Sequence, residues 1–376
     1  MIFPEETTLQ RLKRNLRCAG WSHEPFRYLE DHLQSMESNF PALSYPVSPD
    51  IEDPAHLRVL EGMNNGYDHW RHLGFVAHVK RPVIIEDLHG MLIDADSDRL
   101  LPNEVLGVHR DVYVAPPFKP SYHMKKRRAR RVEGGLVLHH HYGVNFTHFY
   151  MDVLSKLVYF YEKGFSRDVP VILFRSYYET PMFQAIKDVP ALRGLNFVIQ
   201  EDDEYLLADN VYVVKPLGLR KEGVLGLRDL CDPGNEDRGG DRKVFLVRSS
   251  TFDRGLRNRD EIVAVAESYG FEAIEPSSLG LIEQIELFQQ TRYLLAEHGS
   301  AEINLLHRKV GTMSSAEFFP QEHIAPIFDI MAGHLGFRHH VFRVPEDQCD
   351  GVSYELSPEL AKEWIEKLLD DSTRSA

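Results

Sequence analysis

The hydrophobic and polar positions change rhythm along the chain. Residues 1–75 are polar, rich in His and Glu, and lean toward helix. From 76 to 118 short β-rich runs take over: VAHV at 76–79, PVII at 82–85, MLI at 91–93 and VYV at 112–114, each bounded by turn residues. GLVLHHH at 135–141 reads as a further strand running into a loop. Beyond it the pattern alternates. Phe149, Val153, Leu154, Leu157, Val158 and Tyr161 recur at helical spacing. VPVILF at 169–174, LNFVI at 195–199 and NVYVV at 210–214 read as strands, with a short helix over 180–187. A polar, Gly-rich break covers 232–241. After it KVFLV at 243–247, FEAIE at 271–275 and YLLA at 293–296 read as strands. Between them the pattern predicts a helix over 259–269, closed by Gly270, and an amphipathic helix over 280–291 with Ile282, Ile285 and Phe288 on one side. A helix starts at 301–306, and another closes the chain at 358–370. Strands alternating with helices predict an α/β fold with parallel sheets. Two Rossmann-like halves meeting at a cleft are the simplest arrangement. The expected division is an N-terminal extension at 1–75 and domains at 76–231 and 242–376.

Composition narrows the function classes. The 376 residues are 43% hydrophobic and 27% charged, enough apolar material for one or two cores. A net charge of −14 disfavours nucleic acid as a partner, so an anionic ligand needs a locally basic pocket. The three cysteines, Cys18, Cys231 and Cys349, have neither disulfide-framework nor zinc spacing. The first residues lack the pattern of a secretory signal, and no apolar run reaches the ~18 residues of a membrane span. A cytoplasmic location is therefore expected. Peripheral contact with the inner membrane through the basic run KKRRARR at 125–131 stays open; a solvated loop is its other reading.

Three segments carry candidate chemistry. The strand at 293–296 runs into EHGS at 297–300, where a helix begins. Strand ends and helix N-termini suit phosphates. Gly299 would permit close approach, Ser300 offers a hydroxyl, and His298 would touch phosphate or ribose. Arg248, just past another strand end, has the fork geometry that suits a diphosphate. Asn258 and Glu261 read as the cap and first turn of the next helix. In the third segment His148 and Asp152 are four residues apart on one helical face, a plausible general-base pair. The His-rich stretch shows no third ligand at a familiar metal spacing. The acidic clusters at 94–96 and 202–204 resemble metal-holding motifs but read as solvated charge.

Together these segments resemble glycosyltransferase family 61. NFTHFYMDVLSKL at 145–157 is similar to the family's Asn-x-x-His-x-x-x-Asp signature. FLVR at 245–248, continuing through Arg254, Asn258 and Glu261, looks like its arginine-rich loop. EQIELF at 283–288, leading into HGSAEIN at 298–304, looks like its Gln-containing helix and His-Gly-Ala turn; EFFP at 317–320 looks like its acidic strand end. Ser155, Lys156, Ser300 and Glu302 depart from the family pattern. The resemblance implies a GT-B-like fold of two facing domains and inverting, metal-independent transfer without a cofactor. It implies a nucleotide-sugar donor, a UDP-sugar foremost, and a glycan or glycolipid acceptor, as in capsule or lipopolysaccharide assembly. On this reading Arg248, Arg254, His298, Gly299, Ser300 and Asn304 hold the donor. His148 or Asp152 is the base, with Glu302 a competitor. A non-catalytic carbohydrate binder, and a glycoside hydrolase using Asp152 and Glu302, are the alternatives.

Overall fold

The computed structural model describes residues 33–36, 75–87, 90–96, 98, 121–140, 142–215, 219–231, 239–248, 255–320, 326–350 and 353–370. Contacts divide these residues into two units, 33–215 and 219–370.

The first unit is built on an eight-stranded sheet: β1 (Leu33–Met36), β2 (Phe75–Val79), β3 (Val83–Ile85), β4 (Leu92–Asp94), β5 (Arg130–Val137), β6 (Val171–Phe174), β7 (Phe197–Gln200) and β8 (Leu206–Lys215). Strands β8, β5, β6 and β7 run parallel. Helices Ser155–Glu162 and Pro181–Ile186 supply the crossovers that parallel pairing requires. The sheet is mixed, however, because β1 to β4 pair antiparallel with one another or with β8. The described part of the extension, 33–36, is a strand and not a helix, since pairing with β2 overrides the local pattern. The core of this unit gathers Val79, Ile85, Leu92, Val137, Ile172 and Val211. The run VYV at 112–114 lies outside the described residues.

The basic run is not a loop. Its first half completes helix Tyr122–Arg128, and Arg130 and Arg131 open β5. Lys125 pairs with Asp87 and Asp203. Lys126 meets Asp98 at 2.6 Å, Arg130 meets Glu204 at 2.8 Å and Arg131 meets Asp209 at 2.9 Å. The 202–204 cluster is thus part of the counter-charge of this run, while Asp94 is buried against Arg81 at 3.0 Å. Four of the six cations offered to a membrane surface are neutralised within the unit, and Arg127 and Arg128 stay exposed.

The second unit has a wholly parallel five-stranded sheet in the order β11-β9-β12-β13-β14, formed by β9 (Arg242–Leu246), β11 (Glu272–Ile274), β12 (Thr291–Glu297), β13 (Ser314–Pro320) and β14 (Arg338–Val344). A two-residue strand, β10 (Gly255–Leu256), lies off this sheet. Counted within the unit, the order is 2-1-3-4-5, that of a doubly wound sheet, with its topological switch between β9 and β12. Strands β12 and β13 are buried along nearly their whole length, β12 through its apolar centre at 293–296 and β13 with Ser314, Ser315 and Glu317 buried beside Ala316, Phe318 and Phe319. Helix Arg259–Ser268 ends at Gly270, whose φ of 82° is the left-handed conformation that glycine tolerates. In helix Leu281–Gln290 the buried apolar residues are Leu281, Ile285, Leu287 and Phe288; Ile282 points to solvent, contrary to the face read from the sequence. Helix Lys221–Cys231 packs in this unit against 300–307 and helix Ile327–His334. It therefore belongs beyond the expected boundary at residue 231, since its buried Val224, Leu227 and Leu230 face the second unit's elements.

The closing helix, Pro358–Leu369, is capped by Ser357, which accepts the Leu360 N–H, and has Pro358 in its first turn. Ala361, Trp364, Ile365 and Leu368 form its buried stripe, and Trp364 stacks on Phe342 at 4.8 Å. Among the described residues, no helix is long and apolar enough to cross a membrane.

Candidate functional site

In the second unit the switch point brings two sequence candidates together. Arg248 follows β9; Glu297 closes β12, and 298–300 follow it. The Arg248 Nη1 donates to the His298 carbonyl at 2.6 Å. Its own N–H donates to Glu297 Oε1 at 3.1 Å. Glu297 Oε2 accepts the Leu256 N–H at 3.0 Å and the Tyr354 hydroxyl at 3.2 Å. Burial, then the Glu297 charge, push the Tyr354 pKa well up, so its hydroxyl stays protonated as a donor. Gly299 has extended backbone, so its φ does not demand glycine. A Cβ there would meet Arg248 Nη1 at 3.3 Å, so glycine lets the guanidinium lie over the turn. Arg254 lies outside the described residues.

Residues Ser300–His307 form a 3₁₀ helix and not the expected α-helix. Glu302 accepts the Gly299 N–H at 3.0 Å, and its own N–H returns to the Gly299 carbonyl at 3.1 Å. Asn304 donates to Gln284 Oε1 at 2.9 Å and to the Ala301 carbonyl at 3.0 Å. The Gln-containing helix and the turn are thus one hydrogen-bonded assembly. Asn304 is fully buried, so it supports the turn and does not reach a ligand. Asn258 makes no cap; its side chain joins Glu261 at 2.8 Å and the backbone of Leu356.

Beneath the turn, His298 Nδ1 lies 3.1 Å from Glu317 Oε2. Glu317 is fully buried midway along β13, and His339 Nε2 lies 3.6 Å from its other oxygen. Burial favours protonation of Glu317, but the hydrogen bond from His298 and the nearby His298 and His339 imidazoles outweigh it and hold its pKa far below the usual range. Glu302 goes the other way: burial, then the Glu317 charge, raise its pKa well above normal. It is only 1% exposed, which removes it as a base for a solvent-side hydroxyl or as half of a hydrolytic carboxylate pair.

The first unit holds a second His–carboxylate pair. Asn145 caps the helix start, accepting N–H groups from Thr147 at 3.1 Å and His148 at 3.4 Å. The chain then widens into a π-helical stretch, Phe149–Leu154, which carries Asp152. His148 Nδ1 donates to Asp152 Oδ2 at 2.7 Å. This leaves Nε2 as the ring nitrogen for a substrate, and the side chain is 40% exposed. Desolvation pushes the Asp152 pKa up, but the bond from His148 and the charges of His140, His148 and Lys156 prevail, so it lies below normal. His140 Nε2 is 3.8 Å from the same carboxylate, and its ring stacks on His148 at 5.5 Å. Lys156 is buried and donates to the His139 carbonyl; burial lowers its pKa to about 8 despite Asp152.

Two groups, His140–His148–Asp152 and His298–Glu302–Glu317, bring three ligand-type atoms within 4.8 Å of one another. Hydrogen bonding already commits several of these atoms. His140 Nδ1 accepts the Tyr142 N–H at 3.3 Å, so the neutral ring carries its proton on Nε2, toward Asp152. His298 Nδ1 and Glu302 Oε2 are committed to Glu317 and Gly299. Sequence reasoning did not assign His140, Glu297 or a partner role for Glu317. Only the strand-end motif at 317–320 pointed to the last.

A Rossmann-type unit with arginine and a Gly-containing turn at its switch point defines a class of protein suited to a phosphate-bearing ligand. Residues 146–313 match the family model described as Glycosyltransferase 61. The match supports glycosyltransferase chemistry, and it contains His148, Asp152, Arg248 and the 298–304 turn. No curated protein matches the chain.

Proposed function

We propose that the chain is an inverting glycosyltransferase of GT-B type. It moves a sugar from a nucleotide-sugar donor, a UDP-sugar foremost, to a glycan hydroxyl, without a metal. The observation that carries this reading is the meeting of Arg248 with the His298–Gly299 turn at the second unit's switch point. Arg248, His298, Gly299 and Ser300 bind the donor diphosphate and stabilise it as it leaves. His148 Nε2 takes the acceptor proton, and Asp152 orients the ring and stabilises the imidazolium. The acceptor oxygen bonds to the anomeric carbon as the bond from that carbon to the diphosphate oxygen breaks. The acceptor class, a surface polysaccharide as in capsule or lipopolysaccharide assembly, rests on the family resemblance alone.

The test is thermal shift with UDP, GDP, CMP, TDP and their sugars, with and without EDTA. One nucleotide should raise Tm, and the rise should survive EDTA. In Arg248→Ala it should shrink by the equivalent of about 10-fold or more in affinity, since a hydrogen bond to a charged group contributes about 1.5–3 kcal/mol. Full nucleotide stabilisation in that variant would remove Arg248 from the donor site.

A further inference from the structure

Glu302 departs from the resembled family pattern, and the structure removes it from base duty. The question is what a carboxyl group does there. Three geometric facts bear on it. Glu302 and Glu317 are 1% and 0% exposed, with ligand-type oxygens within 4.8 Å of each other. Glu317 has both histidines, His298 at 3.1 Å and His339 at 3.6 Å. Glu302 has His298 farther off, at 4.0 Å, a backbone N–H from Gly299 and the charge of Arg248.

Two carboxylates cannot both stay ionised this close together in a dry site, so one proton must remain with the pair. Both imidazoles face Glu317 at closer range than either faces Glu302, so Glu317 keeps the charge. Glu302 carries the proton while its other oxygen accepts from Gly299. A second negative charge directly beneath the turn would oppose an anionic ligand there.

We propose that Glu302 works as a neutral carboxylic acid sharing its proton with ionised Glu317, and that Glu317 is a positioning residue holding His298 Nδ1–H so that Nε2 faces the donor diphosphate. The second half rests on the donor-site reading given above; the first half does not. Glu302 locks the turn from within, through the Gly299 N–H, without adding charge to it. Direct contact with the ligand is left to His298, Gly299, Ser300 and Arg248.

Glu302→Gln is the decisive variant, because an amide mimics the neutral acid and does not titrate. The groups facing Glu302 are Arg248 after β9, His298 after β12 and Glu317 on β13, with His339 on β14 behind Glu317. A carboxyl whose folded pKa is raised contributes stability that is present below its unfolded pKa and lost as pH rises. Wild type and Glu302→Gln should therefore melt together near pH 4.5. By pH 8 the variant should melt higher, by about 2 °C or more. Glu317→Gln should do the opposite, losing Tm relative to wild type as pH rises from acid to neutral. Its UDP affinity should fall about 10-fold, while Glu302→Gln stays within about twofold of wild type. Parallel melting curves for wild type and Glu302→Gln across this range overturn the shared proton. Equal loss of UDP affinity in both variants overturns the division of roles. If wild type binds no nucleotide, the donor reading fails, and the melting curves still decide where the proton sits.

Discussion

The two units each hold a histidine bonded through Nδ1 to a carboxylate, and burial separates them. His148 and Asp152 sit one turn apart on a helix, about two-fifths exposed, with the ring's second nitrogen outside the bond between them. His298 follows the end of β12 and Glu317 lies midway along β13; the carboxylate is fully buried and the ring 18% exposed. An exposed pair can pass a proton to and from a substrate, because the ring can change charge without stranding it in a dry interior. A buried carboxylate gives its histidine a fixed orientation and a persistent counter-charge. The same two functional groups thus suit proton transfer in one unit and ligand holding in the other.

The largest effect should follow from breaking the first pair while keeping its shape. In Asp152→Asn the side chain no longer stabilises the imidazolium of His148 and favours the wrong tautomer. Transfer should fall by about 10²–10⁴-fold in kcat, the range for a lost general base. The nucleotide-induced Tm shift should be unchanged. A matched loss of nucleotide binding would mean that this pair holds ligand too, and the contrast between the units would fail.

Lys156 sharpens the contrast by showing what supports the exposed pair. It is buried beneath Asp152, and its pKa falls from the ordinary 10.5 to about 8. Between those values the unfolded chain binds more protons than the folded one, so this group makes stability rise with pH there. The burden is full below about pH 8 and absent above about 10.5. Lys156→Met should flatten that rise, a difference of roughly a few kcal/mol between the two limits in urea unfolding. Curves of equal slope would show that Lys156 stays charged in the fold.

How much of this was legible in the sequence depends on the range of each interaction. The His148–Asp152 pair was readable because four-residue spacing on a helix fixes contact. In the second unit β9, β11 and β12 were readable from their apolar runs, and the helices from ends such as Ser357 and Gly270; β13 and β14, which carry Ser314, Ser315, Glu317 and several basic or imidazole residues, gave no such run. Ile282 misled because an apolar residue at helical spacing can still fall on the solvent edge of the stripe. The basic run misled because its counter-charges, Asp203, Glu204 and Asp209, lie far along the chain and meet it only once β5 pairs with β8. The Arg248–His298 carbonyl bond, Glu317 beneath His298 and the Glu297 hub also join residues far beyond helical or turn spacing, and no local pattern encodes them.

The smallest expected effect tests whether the buried pair is rigid because of its own bonds or because of the packing around it. Ser315 Oγ lies 2.8 Å from His339 Nδ1, on the ring's side away from Glu317. Both residues are buried. Ser315→Ala removes the hydroxyl and leaves that nitrogen unsatisfied, at a cost of about 1–3 kcal/mol by urea unfolding. His339 is the more distant of the two imidazoles on Glu317, at 3.6 Å against 3.1 Å for His298. The His298 contact should therefore persist, and UDP affinity should stay within about twofold of wild type. A large loss of affinity in this variant would show that His298 is held by a chain running back through His339 to Ser315. The buried pair would then be a network spanning β13 and β14, and its contrast with the self-contained pair on the first unit's helix would be wider than the distances suggest.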